Sequence, residues 1–169
     1  MLHWKYGSKR EAKKNSSQGF HTNNFCINKS VFLGLNFPPQ LIGYGHEDTW
    51  MGIELIQLKK KICGINNPIM HLGLETANIF LEKTNCALKN LFILHAILDE
   101  RMLRKYVRLY NLFYWQKKLK INGIVFFILK LIKQKIIRNL HSCTPSLILF
   151  DFYRLYYLIE ISKYPTTNN

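Results

Sequence analysis

The sequence predicts an α+β protein in which short strands and helices are followed by a basic helical tail. Of its 169 residues, 48% are apolar, which is enough for one domain with a hydrophobic core and argues against global disorder. Short apolar runs in the first half are typical of strands, whereas apolar residues recur at helical spacing after His71. Beyond residue 98 the composition becomes strongly basic. These features divide the chain into residues 1–20, 21–98 and 99–169.

The first segment, residues 1–20, is basic and polar and lacks the apolar centre of a secretory signal, so we predict a poorly structured lead-in. The apolar run from Phe20 to Ile27 is then consistent with a strand and its entry turn. Lys29 to Leu33 could form a single helical turn. The Pro38-Pro39 pair that follows indicates irregular backbone.

A glycine-rich bend leads into the next predicted helix. Gly43 and Gly45 permit backbone angles that are closed to other residues, and a helix of about three turns follows from Glu47 to Leu58. The acids at its start and the lysines at its end both complement the helix dipole. A short strand, Lys61 to Ile65, is predicted after this helix.

After His71 the chain is predicted to be helical. The apolar positions that share one face of the first helix are Phe80, Ala87, Leu91, Leu94 and Leu98. Residues 101–163 contain 13 Lys or Arg and only two acids. A second amphipathic helix within this tail has an apolar side made of Val125, Ile128, Leu129, Ile132, Ile136 and Leu140.

Three interpretations of the basic tail stay open. The commonest is a helical region that packs its apolar faces internally and exposes its lysines. A Lys-rich amphipathic helix can instead lie on an anionic membrane surface. Basic residues with interleaved aromatics can also contact nucleic acid, but no recognised nucleic-acid motif accompanies them, so this interpretation ranks last.

Charge and cysteine usage bear on partners and location. The formal net charge of +14 favours anionic partners. The four cysteines show no two-residue spacing, which predicts free thiols in a reducing compartment. The longest apolar run, Ile124 to Leu129, is far shorter than the roughly 20 residues of a membrane span. We therefore expect a cytoplasmic protein, with peripheral contact at the inner face of the membrane as an open alternative.

The segment best suited to chemistry is Gly43 to Thr49, with the sequence Gly-Tyr-Gly-His-Glu-Asp-Thr. It places two adjacent carboxylates, Glu47 and Asp48, at a helix N-terminus. One carboxylate could accept the proton of an incoming hydroxyl while the other holds that acceptor by hydrogen bonds. The alternative is that these acids only complement the helix dipole, as acids in a first turn usually do.

This segment resembles the Gly-Trp-Gly-x-Glu-Asp signature of the galactosyltransferase-like C-terminal region of family-2 glycosyltransferases, as in β-1,4-galactosyltransferases and bacterial chondroitin polymerases. Tyr44 replaces the Trp. Further similarities follow the family's order between about residues 4 and 95: Phe20–Phe25, Ile27–Phe32, Phe37, and Asn67-Pro68 with His71. The resemblance implies a truncated GT-A C-terminal half and an inverting transfer of a sugar from a nucleotide-sugar to a glycan hydroxyl.

By position, the resemblance implies that Asp48 is the catalytic base and that Glu47 binds the acceptor. The residues that would line the sugar pocket are Tyr44, Gly45, Asn23 and Asn24. For the two asparagines, a turn pair that bonds its own backbone is an equal alternative. In a complete family member, His71 would bind Mn²⁺ or Mg²⁺, with the imidazole favouring Mn²⁺, and the metal would neutralise the departing diphosphate. Two alternatives stay open: this fragment binds no metal, or His71 is an ordinary partly buried histidine.

The sequence departs from the family pattern in the donor-binding half. Its three aspartates, Asp48, Asp99 and Asp151, form no Asp-x-Asp motif, and no strand-loop-helix series precedes residue 20. We therefore expect a glycosyltransferase fragment that is inactive alone. A non-catalytic basic module that binds a membrane surface or a partner protein is the alternative.

Overall fold

The computed structural model describes residues 1–11, 20–65, 67, 69 and 72–163. A π-helical turn, Gly7–Glu11, follows the first helix. The α-helices, numbered along the chain, are α1 Leu2–Tyr6, α2 Lys29–Leu33, α3 Glu47–Gln57, α4 Ala77–Ile97, α5 Glu100–Tyr106, α6 Arg108–Lys118, α7 Asn122–Leu140 and α8 Leu147–Lys163.

The prediction of an α+β fold was wrong, since the described residues are helical or irregular and contain no strand. The two segments predicted as strands, Phe20 to Ile27 and Lys61 to Ile65, are irregular, and the second is exposed along its whole length. A short apolar run becomes a strand only where a neighbouring segment completes its hydrogen bonds. Neither segment has such a neighbour among the described residues. The truncated GT-A half built on short strands is therefore not the architecture of this chain.

The core lies where α4 and α7 each pack against α8. Helix α4 begins at its N-cap Thr76, whose side-chain oxygen accepts a hydrogen bond from the Ile79 backbone at 3.5 Å. The apolar face that the sequence predicted for α4 is directed toward the core. Leu91 and Leu94 are completely buried, and Phe80 packs against the same core. The periodicity of the sequence therefore located the central helix and its buried side.

Helix α7 packs one side against α8. Most residues of its predicted apolar side are buried or packed against the core: Val125, Leu129, Ile132, Ile136 and Leu140. Ile128, which was predicted on the same side, is exposed. Because each residue advances about 100° around a helix, Ile128 lies at the edge of this side and turns outward. No helix in the described ranges has both the length and the apolar character that a membrane crossing requires.

The first eleven residues are part of the packed structure. Leu2 lies in the core, and the Lys5 ammonium donates a hydrogen bond to the Pro145 carbonyl at 2.7 Å. The Arg10 guanidinium binds both carboxylate oxygens of Asp151 at 2.6 Å. The prediction of a poorly structured lead-in was therefore wrong for residues 1–11, because their cations have acceptors at the start of α8. The remainder of that segment lies outside the described residues, and the division into three segments stays a prediction.

Candidate functional site

The bend of residues 43–45, which we call the glycine loop, lies against α4. The side-chain amide of Asn90 donates hydrogen bonds to the carbonyls of Gly45 at 2.9 Å and Tyr44 at 3.4 Å. The Tyr44 backbone N–H donates to the Cys86 sulfur at 3.3 Å. Two consecutive turns of α4 therefore fix the loop that precedes the paired acids.

Both glycines of the loop are required by this close approach. Gly43 and Gly45 have φ values of 77° and 102°, a backbone region that side chains disfavour. A Cβ atom on Gly43 would lie 2.7 Å from the Cys86 sulfur, and one on Gly45 would lie 2.4 Å from the Ala87 Cβ. The signature glycines thus allow the backbone to contact α4 directly.

The Asp48 carboxylate is held in place at the start of α3. Its Oδ1 accepts a hydrogen bond from the Thr49 backbone N–H at 2.7 Å, and its Oδ2 lies 3.7 Å from His21 Nδ1. The imidazole of His46 contacts the Thr49 hydroxyl at 3.0 Å. About a third of the Asp48 side chain, 34%, is exposed. A solvent-borne hydroxyl can therefore reach a carboxylate whose orientation is already set.

Burial alone would raise the pKa of Asp48, but the neighbouring imidazoles of His21 and His46 and the Thr49 backbone N–H favour the charged form and outweigh burial. The pKa consequently lies below its usual value. Asp48 is ionised at neutral pH and can accept a hydrogen bond or a proton there. It is a weak base, so its value in catalysis depends on position rather than on basicity.

We expect the stability conferred by the Asp48 carboxylate to depend on pH in the acidic range. Since its pKa is lower in the folded state, the contribution is complete above the unfolded-state value near about 4 and is lost as pH falls through the folded-state pKa. Asp48→Asn should lower stability at pH 7 by about 1 kcal/mol or less, because solvent screens the interactions of a partly exposed carboxylate. Urea unfolding of both proteins across the acidic range measures this difference. A difference in unfolding free energy between the two proteins that stays constant at all pH values would contradict this prediction.

The Tyr44 ring lies among charged side chains. More than half of the residue is exposed, and the Lys83 ammonium lies 5.0 Å from the ring centroid while forming an ion pair with Glu75. Partial burial, followed by the negative charges of Glu11 and Glu47, raises the pKa of the Tyr44 hydroxyl. The charges of several carboxylates therefore act on the Tyr44 hydroxyl, and such groups can accept hydrogen bonds.

The two asparagines predicted to line a sugar pocket are exposed. The Asn24 side-chain amide donates a hydrogen bond to the Asn67 carbonyl at 2.9 Å. This contact links the segment around His21 to the stretch that precedes residue 71. The assignment of both asparagines to a sugar pocket stays a prediction.

The predicted metal ligand, His71, lies outside the described residues. In the part of the chain that the structure covers, no group of three or more His, Cys, Asp or Glu side chains could hold a metal ion. The assignment of Mn²⁺ or Mg²⁺ stays a prediction, and no step proposed below passes through a metal.

Sequence reasoning gave no role to His21, Lys83 or Asn90. Asn90 carried a signal, because it is a polar residue within the apolar stripe of α4 and is almost completely buried. Such a residue must find hydrogen-bond partners, and those partners are the loop carbonyls. His21 and Lys83 carried no comparable signal, since only the tertiary structure brings them to Asp48 and Tyr44.

Comparison with known proteins adds no relative. The chain matches no family model, no curated protein and no solved structure. Its likeness to family-2 glycosyltransferases therefore depends on the ordered residues quoted above, and that assignment stays a prediction.

Proposed function

We propose that the glycine loop and the start of α3 bind the acceptor sugar of an inverting glycosyltransferase, with Asp48 as the general base. The observation that carries this proposal is the Asp48 carboxylate, which is oriented by Thr49 and His21 yet open to solvent. The proposal concerns the chemistry of this site and does not include the strand-built architecture corrected above.

Tyr44 and Glu47 supply the two kinds of contact that a sugar ring requires. A pyranose has an apolar face of C–H bonds and a rim of hydroxyl groups. The half-exposed ring of Tyr44 offers a flat apolar surface. The Glu47 carboxylate, whose charge acts on the Tyr44 hydroxyl, accepts hydrogen bonds from the rim.

In the proposed step, Asp48 takes the proton of the acceptor hydroxyl as its oxygen attacks the anomeric carbon of a nucleotide-sugar. The new glycosidic bond forms while the bond from the anomeric carbon to the diphosphate oxygen breaks. The nucleoside diphosphate leaves with the bonding electron pair, and the anomeric configuration inverts. None of the described residues is assigned to the donor. We place the reaction in the cytoplasm, where the predicted thiols stay reduced.

Saccharide binding tests the acceptor site without requiring a donor. Saturation-transfer NMR of the full chain with a panel of disaccharides should show binding of at least one of them. Tyr44→Ala should weaken that binding about tenfold, because an aromatic face is lost. The matched control is Phe152→Ala, which removes another exposed aromatic, on α8, and should leave binding unchanged.

Two outcomes would contradict the acceptor site: no disaccharide binds, or Tyr44→Ala and Phe152→Ala have the same effect. The role of Asp48 is tested separately, with the nucleotide-sugar and any polypeptide that proves necessary for turnover. Asp48→Asn should abolish transfer and preserve acceptor binding. Transfer that survives this substitution would exclude Asp48 as the base.

A further inference from the structure

Helix α7 has a second apolar side that the core does not cover. Four apolar residues spaced by three, one and three positions lie along one side of the helix. They are Ile124, Phe127, Ile128 and Leu131. We call this set the α7 outer face. All four are more than half exposed, with Phe127 at 61% and Leu131 at 68%. The helix is therefore apolar both toward α8 and toward its surroundings over its first three turns.

Cations border the α7 outer face. Exposed cations precede the helix: Lys117 and Lys118 end α6, and Lys120 lies in the turn before α7. Leu119 and Ile121 in that turn are also exposed. At the other end, the exposed residues Lys130, Lys135 and Arg138 continue along α7. Residues 101–150 contain eleven Lys or Arg and no acid. The apolar strip thus lies within a strongly positive surface.

We infer that the α7 outer face docks on an anionic lipid surface, with its apolar side chains among the acyl chains and its lysines at the headgroups. An interfacial helix combines these two features: an apolar strip that enters the bilayer surface and cations that bind acidic lipid. Long lysine side chains reach the headgroups while their methylene stems remain in apolar surroundings. This inference is independent of the proposed acceptor site, which lies on α3 and α4.

Charge argues against a second copy of the chain as the occupant. Because cations border the strip at both ends, two copies that met through this face would bring the bordering cations of one near those of the other. Such like-charge contacts are unfavourable at an interface. Anionic lipid instead neutralises the border of the strip, and we therefore choose lipid as the occupant.

Vesicle flotation of the full chain tests the inference. We expect binding at physiological salt to vesicles of phosphatidylcholine mixed with phosphatidylglycerol, and little binding to phosphatidylcholine alone. Phe127→Gln combined with Leu131→Gln should reduce the partition constant about tenfold or more. The matched control is Phe32→Gln combined with Leu33→Gln, an adjacent aromatic and leucine on α2 with 45% and 70% exposure, which should change binding less than about twofold. Both pairs are exposed, so circular dichroism should show unchanged helix content.

Each of the other outcomes would overturn the inference. Absence of binding to anionic vesicles excludes a lipid occupant. If the α7 substitutions leave vesicle binding unchanged, the protein binds by charge alone and the apolar strip does not dock. An equal loss in both double variants removes any special role of α7. A wild-type dimer that Phe127→Gln with Leu131→Gln converts to a monomer assigns the face to a second copy.

Discussion

Replacing Gly45 with alanine is expected to lower the free energy of unfolding by about 3 kcal/mol or more. The new Cβ would meet the Ala87 Cβ at 2.4 Å and its Cα at 2.9 Å, and such overpacking costs about 1–3 kcal/mol. The φ of 102° adds backbone strain of similar size. Because α4 belongs to the core, it cannot easily move away. Urea unfolding followed by far-ultraviolet circular dichroism measures the change.

Gly123→Ala is the matched control, since a Cβ there meets nothing within 4 Å. It lies near the start of α7, where alanine should raise stability by up to about 1 kcal/mol. Adding Ala87→Gly to the Gly45→Ala protein should restore part of the loss, because it removes the contact with the Ala87 Cβ and leaves the contact with the Cα and the backbone strain. If Gly45→Ala were as stable as the wild type, the loop could not lie against α4 as described.

Removal of the Asn90 side chain is expected to have the second largest effect. Asn90→Ala would leave the carbonyls of Tyr44 and Gly45 without the donors that now reach them at 3.4 and 2.9 Å. The two hydrogen bonds together contribute about 1–3 kcal/mol to stability, and the gain in helix propensity offsets only about 0.5 kcal/mol of their loss. We expect a net loss near 2 kcal/mol in urea unfolding, with faster hydrogen exchange at the Tyr44 amide as the loop loosens.

Asn78→Ala is the control for Asn90. Asn78 lies in the same helix and accepts a hydrogen bond from His141 at 2.6 Å, but it is exposed. Water can replace that hydrogen bond, so Asn78→Ala should lower the free energy of unfolding by less than half as much as Asn90→Ala. Equal losses, or unchanged exchange at the loop amide, would show that Asn90 does not hold the loop.

The helices were predictable where the residue pattern that indicates them lies within a single segment of the chain. The apolar spacing of α4 and the acids at the start of α3 indicated helices at positions where the structure has them. The same reasoning failed for Phe20 to Ile27 and for Lys61 to Ile65. An apolar run of that length forms a strand only when a neighbouring segment pairs with it by hydrogen bonds. The reasoning also treated α7 as having one apolar side, whereas Ile128 belongs to the second.

The candidate site was predictable in part. The sequence directed attention to Tyr44, Glu47 and Asp48, which lie within five residues of one another at the start of α3. It offered no means of finding His21 beside Asp48 or Lys83 beside Tyr44. Those neighbours come from segments that only the packing of the loop on α4 brings together.

The sequence by itself therefore determined where the central helices form and which of their sides are apolar, since helical hydrogen bonds join residues only four apart. The tertiary structure alone decided that the glycines serve contact with α4, because Gly45 and Asn90 are 45 residues apart along the chain. It also decided which apolar side of α7 faces α8 and which remains exposed. Both decisions depend on contacts between distant segments, and a local pattern of residues carries no information about them.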